Sequence, residues 1–217
     1  MERCMDSRQT HYEPFRRHHW PQHPRRSIAS GRATGKAPRR VPQRTRQPLW
    51  VVPEMNVVWA LDFMRDTRYG GKVFRTLNVI DEANRGALGI DIAASIPAVR
   101  VTAFVAQLID LHGRPQAIRC DNGPLTSLSF TDWCRSQDIE VRFIQPGKPD
   151  QNAYIERFNR TYREEILSAY LFESLDQVRN ITADWLERYN EIRPHDALGS
   201  LPPARYRERF LAGQTPD

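Results

Sequence analysis

Cysteine is scarce in this sequence, and its arrangement excludes several classes of protein. The 217-residue chain has three cysteines, at positions 4, 120 and 134. Because their number is odd and no two form a Cys-x-x-Cys pair, neither a disulfide-stapled scaffold nor a zinc ribbon is expected. The pattern fits a protein of a reducing compartment.

Long apolar runs are also missing. No stretch of about 18 apolar residues is present, so no membrane-spanning helix is expected. The first twenty residues, MERCMDSRQTHYEPFRRHHW, contain no apolar segment of the kind found in secretory signals. We therefore expect a cytoplasmic protein without a membrane partner.

Acidic residues are rare in the first fifty positions. Residues 1–50 hold 12 of the 32 Lys and Arg but 3 of the 26 Asp and Glu, a local charge of +9. The rest of the chain, with 20 basic and 23 acidic residues, has a charge of −3. This asymmetry suggests a polyanionic partner, and the alternative is a solvated tail.

Apolar periodicity begins only near Trp50. Residues 1–48 are rich in Arg, Pro, His, Gln and Ser and cannot bury enough surface to offset chain entropy, which predicts a disordered basic arm. Residues 49–170 are predicted to form an α/β domain, a mixed sheet flanked by helices. Residues 171–217 are predicted to form a helix and a tail that pack on this domain.

The elements of the domain follow from periodicity and turn signals. The first strands form an antiparallel meander, with a hairpin turn at Gly70 and Gly71. One helix starts at Pro97 and stops at Gly113, and another has Ser174 as its N-cap. The predicted strands are 56–66, 72–81, 86–93, 117–121 and 139–145, and helices are also predicted over 129–137 and around Glu156.

Three acidic residues stand out by their positions. Asp62 lies within an apolar strand, Asp121 follows a short buried strand, and Glu156 lies in the first turn of a helix. Each acid also has a purely structural interpretation. Asp62 could point outward from a solvated sheet face, and Asp121 could form an Asx-type turn. Glu156 could compensate the helix dipole and form an ion pair with Arg160, four residues later. Brought together at one sheet edge, the three would instead offer oxygen ligands to a pair of Mg²⁺ or Mn²⁺ ions.

The motifs that carry these acids resemble a known family. Segments WALDFM, FRTLNVIDE, RCDNGP, FIQPGKPDQNAYIERFNRTYREE and YNEIRPHDALG are similar to the catalytic core of insertion-sequence transposases. The resemblance covers about residues 40–210 and is strongest to the OrfB type of the IS-three family, within the retroviral-integrase superfamily. It implies a ribonuclease-H-like fold and a metal-binding catalytic triad of Asp62, Asp121 and Glu156. It also implies metal-dependent DNA cleavage and strand transfer without a covalent protein–DNA intermediate.

The sequence departs from the family at two places. The motif DNGPLTS is one residue short, so that 34 residues separate Asp121 from Glu156, one fewer than is usual. Residues 1–38 do not resemble the helical DNA-binding region found upstream in related proteins. The missing residue falls in a loop, and we expect the triad to survive.

The loop and helix around Glu156 also predict a DNA contact. Lys and Arg contact phosphates, whereas Gln and Asn bond phosphates or base edges. A solvated, charged helix face is the alternative. For His195, a capping or packing role is favoured over a catalytic one. The predicted DNA-binding residues are Lys148, Gln151, Asn152, Arg157, Asn159 and Arg160.

Three functions share these residues. The favoured one is a transposase or integrase core active in DNA integration and recombination, and the alternatives are an inactive DNA-binding remnant and a metal-dependent nuclease. The resemblance implies a bacterial, nucleoid-associated protein that works as a homo-oligomer on element ends and target DNA. A product of an upstream overlapping reading frame is a further expected partner.

Overall fold

A computed structural model describes residues 54–121, 128–144 and 152–213 of the chain. The predicted arm, residues 1–48, therefore lies outside the described residues. Within the described ranges, no helix combines the length and apolar content needed to span a bilayer.

The centre of the fold is a five-stranded mixed sheet with the order β3-β2-β1-β4-β5. The first three strands pair antiparallel, whereas β4 runs parallel to both β1 and β5. The predicted mixed sheet is confirmed. The strands are β1 Val58–Thr67, β2 Val73–Asp81, β3 Ala87–Ala93, β4 Ala117–Cys120 and β5 Glu140–Phe143.

The hairpin between β1 and β2 turns at the predicted glycine pair. Gly70 and Gly71 have φ angles of 79° and 78°, a region that residues with a side chain rarely enter. The amide of Arg68 donates to the carbonyl of Lys72 at 2.9 Å and closes the turn. The hairpin fixes the register that places Asp62 opposite Asn78.

Five α-helices lie along the described part of the chain. Gly113 ends α1 with φ 87°, and the Ser174 hydroxyl accepts a hydrogen bond from the Gln177 amide at 3.1 Å, as an N-cap does. A single π-helical turn, Arg163–Leu167, follows α3. The helices are α1 Ala98–His112, α2 Leu128–Ser136, α3 Ala153–Tyr162, α4 Leu175–Glu191 and α5 Pro203–Leu211.

Successive residues of β1 point to opposite faces of the sheet and enter two separate cores. Trp59 and Leu61 pack with apolar residues of α1 and α2. Ala60 and Met64 pack with apolar residues of α3 and α4. Helices thus cover both faces of the first part of β1, where residues 58–61 are buried, whereas Arg65 and Thr67 near its end are exposed.

Aromatic side chains join α3 to α4 within the second core. Phe158 and Tyr162 of α3 lie 5.6 Å and 5.1 Å, between ring centroids, from Trp185 of α4. The Tyr162 hydroxyl also shares a 2.7 Å hydrogen bond with the hydroxyl of Thr182. Helix α4, predicted as an element that packs on the domain, therefore fixes the position of α3 directly.

Candidate active site

Asp62 lies on the face of β1 that is covered by α3. By strand alternation it shares this face with Ala60 and Met64, which belong to the core formed by α3 and α4. Its side chain is partly buried. The interpretation of Asp62 as an outward-facing acid is therefore wrong, because helices cover both faces of the sheet.

Asp62 is held by a chain of amide hydrogen bonds. Its Oδ1 accepts from the backbone amide of Phe63 at 2.8 Å, and its Oδ2 accepts from Asn159 Nδ2 of α3 at 2.6 Å. The Oδ1 of Asn159 accepts in turn from Nδ2 of Asn78 at 2.6 Å. Because Asn78 pairs directly across from Asp62 in the β1–β2 ladder, this chain locks the carboxylate to two strands and one helix.

Asp121 follows the last residue of β4, the strand parallel to β1. Ala60 pairs with Arg119 in the ladder between these strands. Continuing that register by two residues brings Asp121 level with Asp62, and alternation gives both side chains the same face. Asp121 is exposed, at the carboxyl end of a parallel strand, where α/β sheets commonly carry their sites.

Glu156 comes to the same region from α3. It lies in the first turn of the helix, and its side chain is exposed. Asn159, three residues later, lies on the adjoining helical position and contacts Asp62. Glu156 thus lies one helical turn from the contact that joins α3 to β1.

The charges of Asp121 and Glu156 both act on Asp62. The pKa of Asp62 is raised to about 6, first by burial and then by the negative charges of Asp121 and Glu156. The hydrogen bonds from the Phe63 amide and from Asn159 oppose this rise. Asp62 is therefore an acid that bears an energetic cost when ionised, which a nearby cation would remove.

Comparison with known proteins places the chain in a family. The integrase core domain profile matches residues 52–149, and a second integrase core domain profile matches residues 137–203. An uncharacterized 31.7 kDa protein of insertion element IS407 from Burkholderia multivorans is 34% identical over 189 residues, which are 83% of this chain and 68% of that protein. The chain belongs to the insertion-sequence transposases with an integrase core.

Further relatives of this integrase core agree with the assignment. An uncharacterized 39.2 kDa protein of insertion element IS476 from Xanthomonas euvesicatoria is 38% identical over 174 residues. The match covers 80% of this chain and 50% of that protein, so the chain spans half the length of this relative. The catalytic core domain of HTLV-2 integrase, in complex with magnesium in a trimeric form, superposes with a TM-score of 0.54. At 20% identity over 70% of this chain and 95% of that one, this likeness confirms the ribonuclease-H-like fold.

The donor chemistry of the site fits a hard divalent cation. The three acids offer oxygen ligands, the kind that Mg²⁺ and Mn²⁺ prefer, and the negative charges of Asp121 and Glu156 act on the buried carboxylate of Asp62, which a cation would stabilise. All three acids lie within the described residues, and no three His, Cys, Asp or Glu side chains there stand close enough together to enclose a metal ion, so this structure does not bring the triad into a closed metal site. The segments 122–127 and 145–151, next to Asp121 and Glu156 in sequence, lie outside the described residues.

The predicted DNA-binding residues of this transposase core fall into three groups. Lys148 and Gln151 lie outside the described residues. Arg157 and Arg160 are exposed on α3, where a phosphate can reach them. Asn152 is buried, with its Oδ1 unpaired within the described ranges.

Asn159 requires a correction. Its side chain is buried, and protein partners occupy both ends of its amide. It therefore orients Asp62 and does not present its amide to DNA, contrary to the prediction.

Sequence reasoning missed Asn78, the other member of the amide chain. Asn78 is fully buried in the middle of β2, between the buried apolar residues Leu77 and Val79. A polar residue inside such a run is a signal, because a buried amide needs partners. No local pattern indicates those partners, since Asn159 is 81 residues away along the chain.

Proposed function

We propose that this chain is the catalytic core of a transposase that cleaves and joins DNA strands at a site formed by Asp62, Asp121 and Glu156. The observation that carries the proposal is the geometry that brings the acids to one region: the register of β1 against β4 places Asp121 level with Asp62, and α3 contacts Asp62 through Asn159, one turn from Glu156. Three carboxylates from a central strand, the end of its parallel neighbour and a covering helix would otherwise repel one another without benefit.

Asp62 and Asp121 would hold a pair of divalent ions, and Glu156 would complete the second site. Bound there, two such ions activate an attacking oxygen and stabilise a leaving one in phosphodiester chemistry. The first attack would be that of water on the phosphodiester at the element's end. The 3′-hydroxyl released would then attack a phosphodiester of the target.

The protein contributes positioning to both steps. Asn159 and the Phe63 amide fix the two oxygens of Asp62, so that this carboxylate is aligned before substrate binds. The exposed guanidinium groups of Arg157 and Arg160 lie on the helix that carries Glu156, and they would contact the DNA backbone beside the reacting phosphate. Because two element ends must be held together, we propose that the protein acts as a multimer.

A strand-transfer assay tests this function. The purified full chain is incubated with labelled duplex carrying the terminal repeat of its element, with Mg²⁺, with Mn²⁺ or with EDTA. Joined products that depend on the cation are expected. Nicks without joining would make the protein a nuclease, and binding without cleavage would make it a remnant.

A matched pair of variants tests the site. Asp121→Asn is expected to reduce cleavage and joining to background, because it removes a carboxylate that the cation requires. Asp110→Asn removes an exposed carboxylate from α1, on the other side of the sheet, and is expected to keep full activity. Activity that persisted in Asp121→Asn would show that the site is assigned to the wrong residues.

A further inference from the structure

A second cluster of functional side chains lies outside the triad. A cleft of about 290 Å³ is formed between α3, the turn after β2 and the chain bend 193–197. Three arginines, one histidine and one carboxylate line it, so the charge of its lining is positive. The lining residues used below are Arg85, Tyr154, Arg157, Arg193, His195 and Asp196.

Two nitrogen atoms in this cleft are buried without a partner. Nη1 of Arg85 and Nε2 of His195 have no hydrogen-bond partner within the described part of the chain. The guanidinium carbon of Arg85 lies 3.3 Å from the ring centroid of Tyr154, which holds the group flat. Buried polar atoms are rarely left unpaired in folded proteins, so these two positions indicate a missing ligand.

The other groups around His195 show what kind of ligand is missing. Burial and the charges of Arg193 and Arg157 lower the pKa of the imidazole, and one ring nitrogen bonds the backbone of Tyr189. Arg193 is paired with Glu165, and Asp196 is the one carboxylate in the lining. With Arg85 and Arg157 also present, positive charge remains in excess, as expected for an anion site.

The cleft and the triad lie on opposite flanks of α3. Tyr154, Arg157 and Thr161, spaced three and four residues apart, form the flank that lines the cleft. Glu156 and Asn159 form the other flank, toward Asp62. Arg160, exposed, lies between the two flanks on the solvent side of the helix.

The position of the cleft suits a DNA strand that also reaches the triad. A helix with its side chains is about 10–12 Å across, so the cleft and the triad are about one helix width apart. A strand laid over α3 with one phosphate at the triad therefore passes the cleft with a later phosphate of its backbone.

We propose that the cleft lined by Arg85, Arg157, Arg193 and His195 binds a backbone phosphate of the DNA strand that crosses α3. The proposal rests on the proposed function for the identity of the DNA as substrate. The guanidinium groups would bond the phosphate oxygens in the forked geometry that arginine favours, and His195, protonated in the complex with the anion, would donate from Nε2 to a phosphate oxygen. The site would thus fix the register of the strand at the triad.

Binding measurements in EDTA test the site without any contribution from catalysis. The affinity of the full chain for a fluorescein-labelled DNA duplex is measured over a range of salt concentrations. Arg193→Gln and His195→Gln are expected to weaken binding on the order of tenfold. For Arg193→Gln the slope of log affinity against log salt should also fall by about one. Arg205→Gln, an exposed arginine of α5 outside the cleft, is the charge-matched control.

A titration with inorganic phosphate is the second test of the cleft. At constant ionic strength it is titrated into ¹⁵N-histidine-labelled protein, and a shift of the His195 Nε2 resonance is expected with phosphate and with DNA. Thermal unfolding checks that each variant is folded. Arg193→Lys keeps the positive charge but not the forked guanidinium group, so it should lose less DNA affinity than Arg193→Gln.

The outcomes separate this inference from the proposed function. A response to phosphate without an effect of the cleft variants on DNA affinity would overturn the assignment to DNA. Equal losses in Arg205→Gln and Arg193→Gln would overturn the site itself, because binding would then depend on general charge. If the cleft variants bound DNA as the wild type does while Asp121→Asn still abolished strand transfer, the cleft would be refuted and the triad would stand. If the cleft variants weakened DNA binding while Asp121→Asn kept full activity, the triad would be refuted and the cleft would stand.

Discussion

The two faces of the sheet are built differently, although they share the same strands. The face under α1 and α2 is an apolar core around Trp59 and Leu61. The face under α3 and α4 contains, beside its apolar core, the amide chain from Asn78 through Asn159 to Asp62. One face therefore provides stability by burial, whereas the other accepts buried polar groups that serve the site.

The titratable groups on the two faces illustrate this difference. On the apolar face, burial raises the pKa of both Cys120 and Cys134 to about 12, which keeps these thiols neutral and unreactive. On the site face, the pKa of Asp62 is raised to about 6, so its carboxylate is ionised near neutral pH at a cost to the fold. A charged group held at a cost to stability is typical of functional sites, in agreement with the role proposed for Asp62.

The largest effect on stability is expected on the apolar face. Leu61→Ala leaves a cavity among fully buried neighbours and should lower the free energy of unfolding by about 3 kcal/mol. Urea denaturation followed by tryptophan fluorescence measures the change. Leu61→Met, which conserves volume, should cost less than about 1.5 kcal/mol. Equal costs for the two variants would contradict the description of this face as close-packed.

On the site face, Asp62→Asn should stabilise the protein. Above pH ~6 the folded state bears the cost of the ionised carboxylate, about 2–3 kcal/mol at 1.4 kcal/mol per pKa unit. The amide loses one of two hydrogen bonds, worth about 1 kcal/mol, so a net gain of about 1–2 kcal/mol is expected near neutral pH in EDTA.

The pH dependence gives the sign of this effect. Because the pKa of Asp62 is raised from 3.8 in the unfolded chain to about 6 in the fold, the wild type loses stability as pH rises through this interval. The advantage of Asp62→Asn should therefore disappear below pH ~4, where both states are protonated. Asp110→Asn, at an exposed position, should change stability by less than about 0.5 kcal/mol at either pH. A destabilised Asp62→Asn protein at neutral pH would refute the cost assigned to this charge.

Asn159→Ala separates positioning from stability. The change removes the donor to Asp62 and leaves the amide of Asn78 without its oxygen partner, at a cost of about 1–2 kcal/mol. Strand-transfer activity per folded molecule should also fall, because the carboxylate is no longer aligned.

The chain offers a matched control for this variant. Asn190 exchanges two hydrogen bonds of 2.9 Å with the backbone of Ala87, away from the triad. Asn190→Ala should cost similar stability while leaving strand transfer unchanged. If both variants lost activity equally, the amide chain would have no special role.

The smallest effect concerns the polar contact between α3 and α4. Tyr162→Phe removes the 2.7 Å hydrogen bond to Thr182 inside the site-face core and should cost about 1 kcal/mol. A double-mutant cycle with Thr182→Val isolates the coupling energy of the pair. A coupling near zero would show that the two hydroxyls are not true partners.

Much of the fold could be predicted because local signals agree with it. The glycine pair, the helix ended by Gly113 and the cap at Ser174 all occur where turn and capping chemistry place them. Ile155, Phe158 and Tyr162 are buried, as their helical spacing indicates.

The site could be predicted only in part, because its contacts are distant in sequence. The acids were identified by position and by family resemblance. The buried role of Asn159 depends on a partner 97 residues away, and the covering of Asp62 depends on helices on both faces of the sheet. Similarly, His195 was expected to cap or pack. It packs edge-on against Tyr189 at 4.9 Å but makes no capping hydrogen bond, and its unpaired nitrogen has no signal in the sequence.

The aromatic stack between α3 and α4 limits how the molecule can be divided. A fragment that ended before Leu175 would contain all three acids and the entire sheet. It would nevertheless lack Trp185 and Tyr189, the aromatic residues against which Phe158 packs. The smallest working unit therefore extends well past the last acid, and any domain borrowed for engineering must include α4 to keep Glu156 in its place.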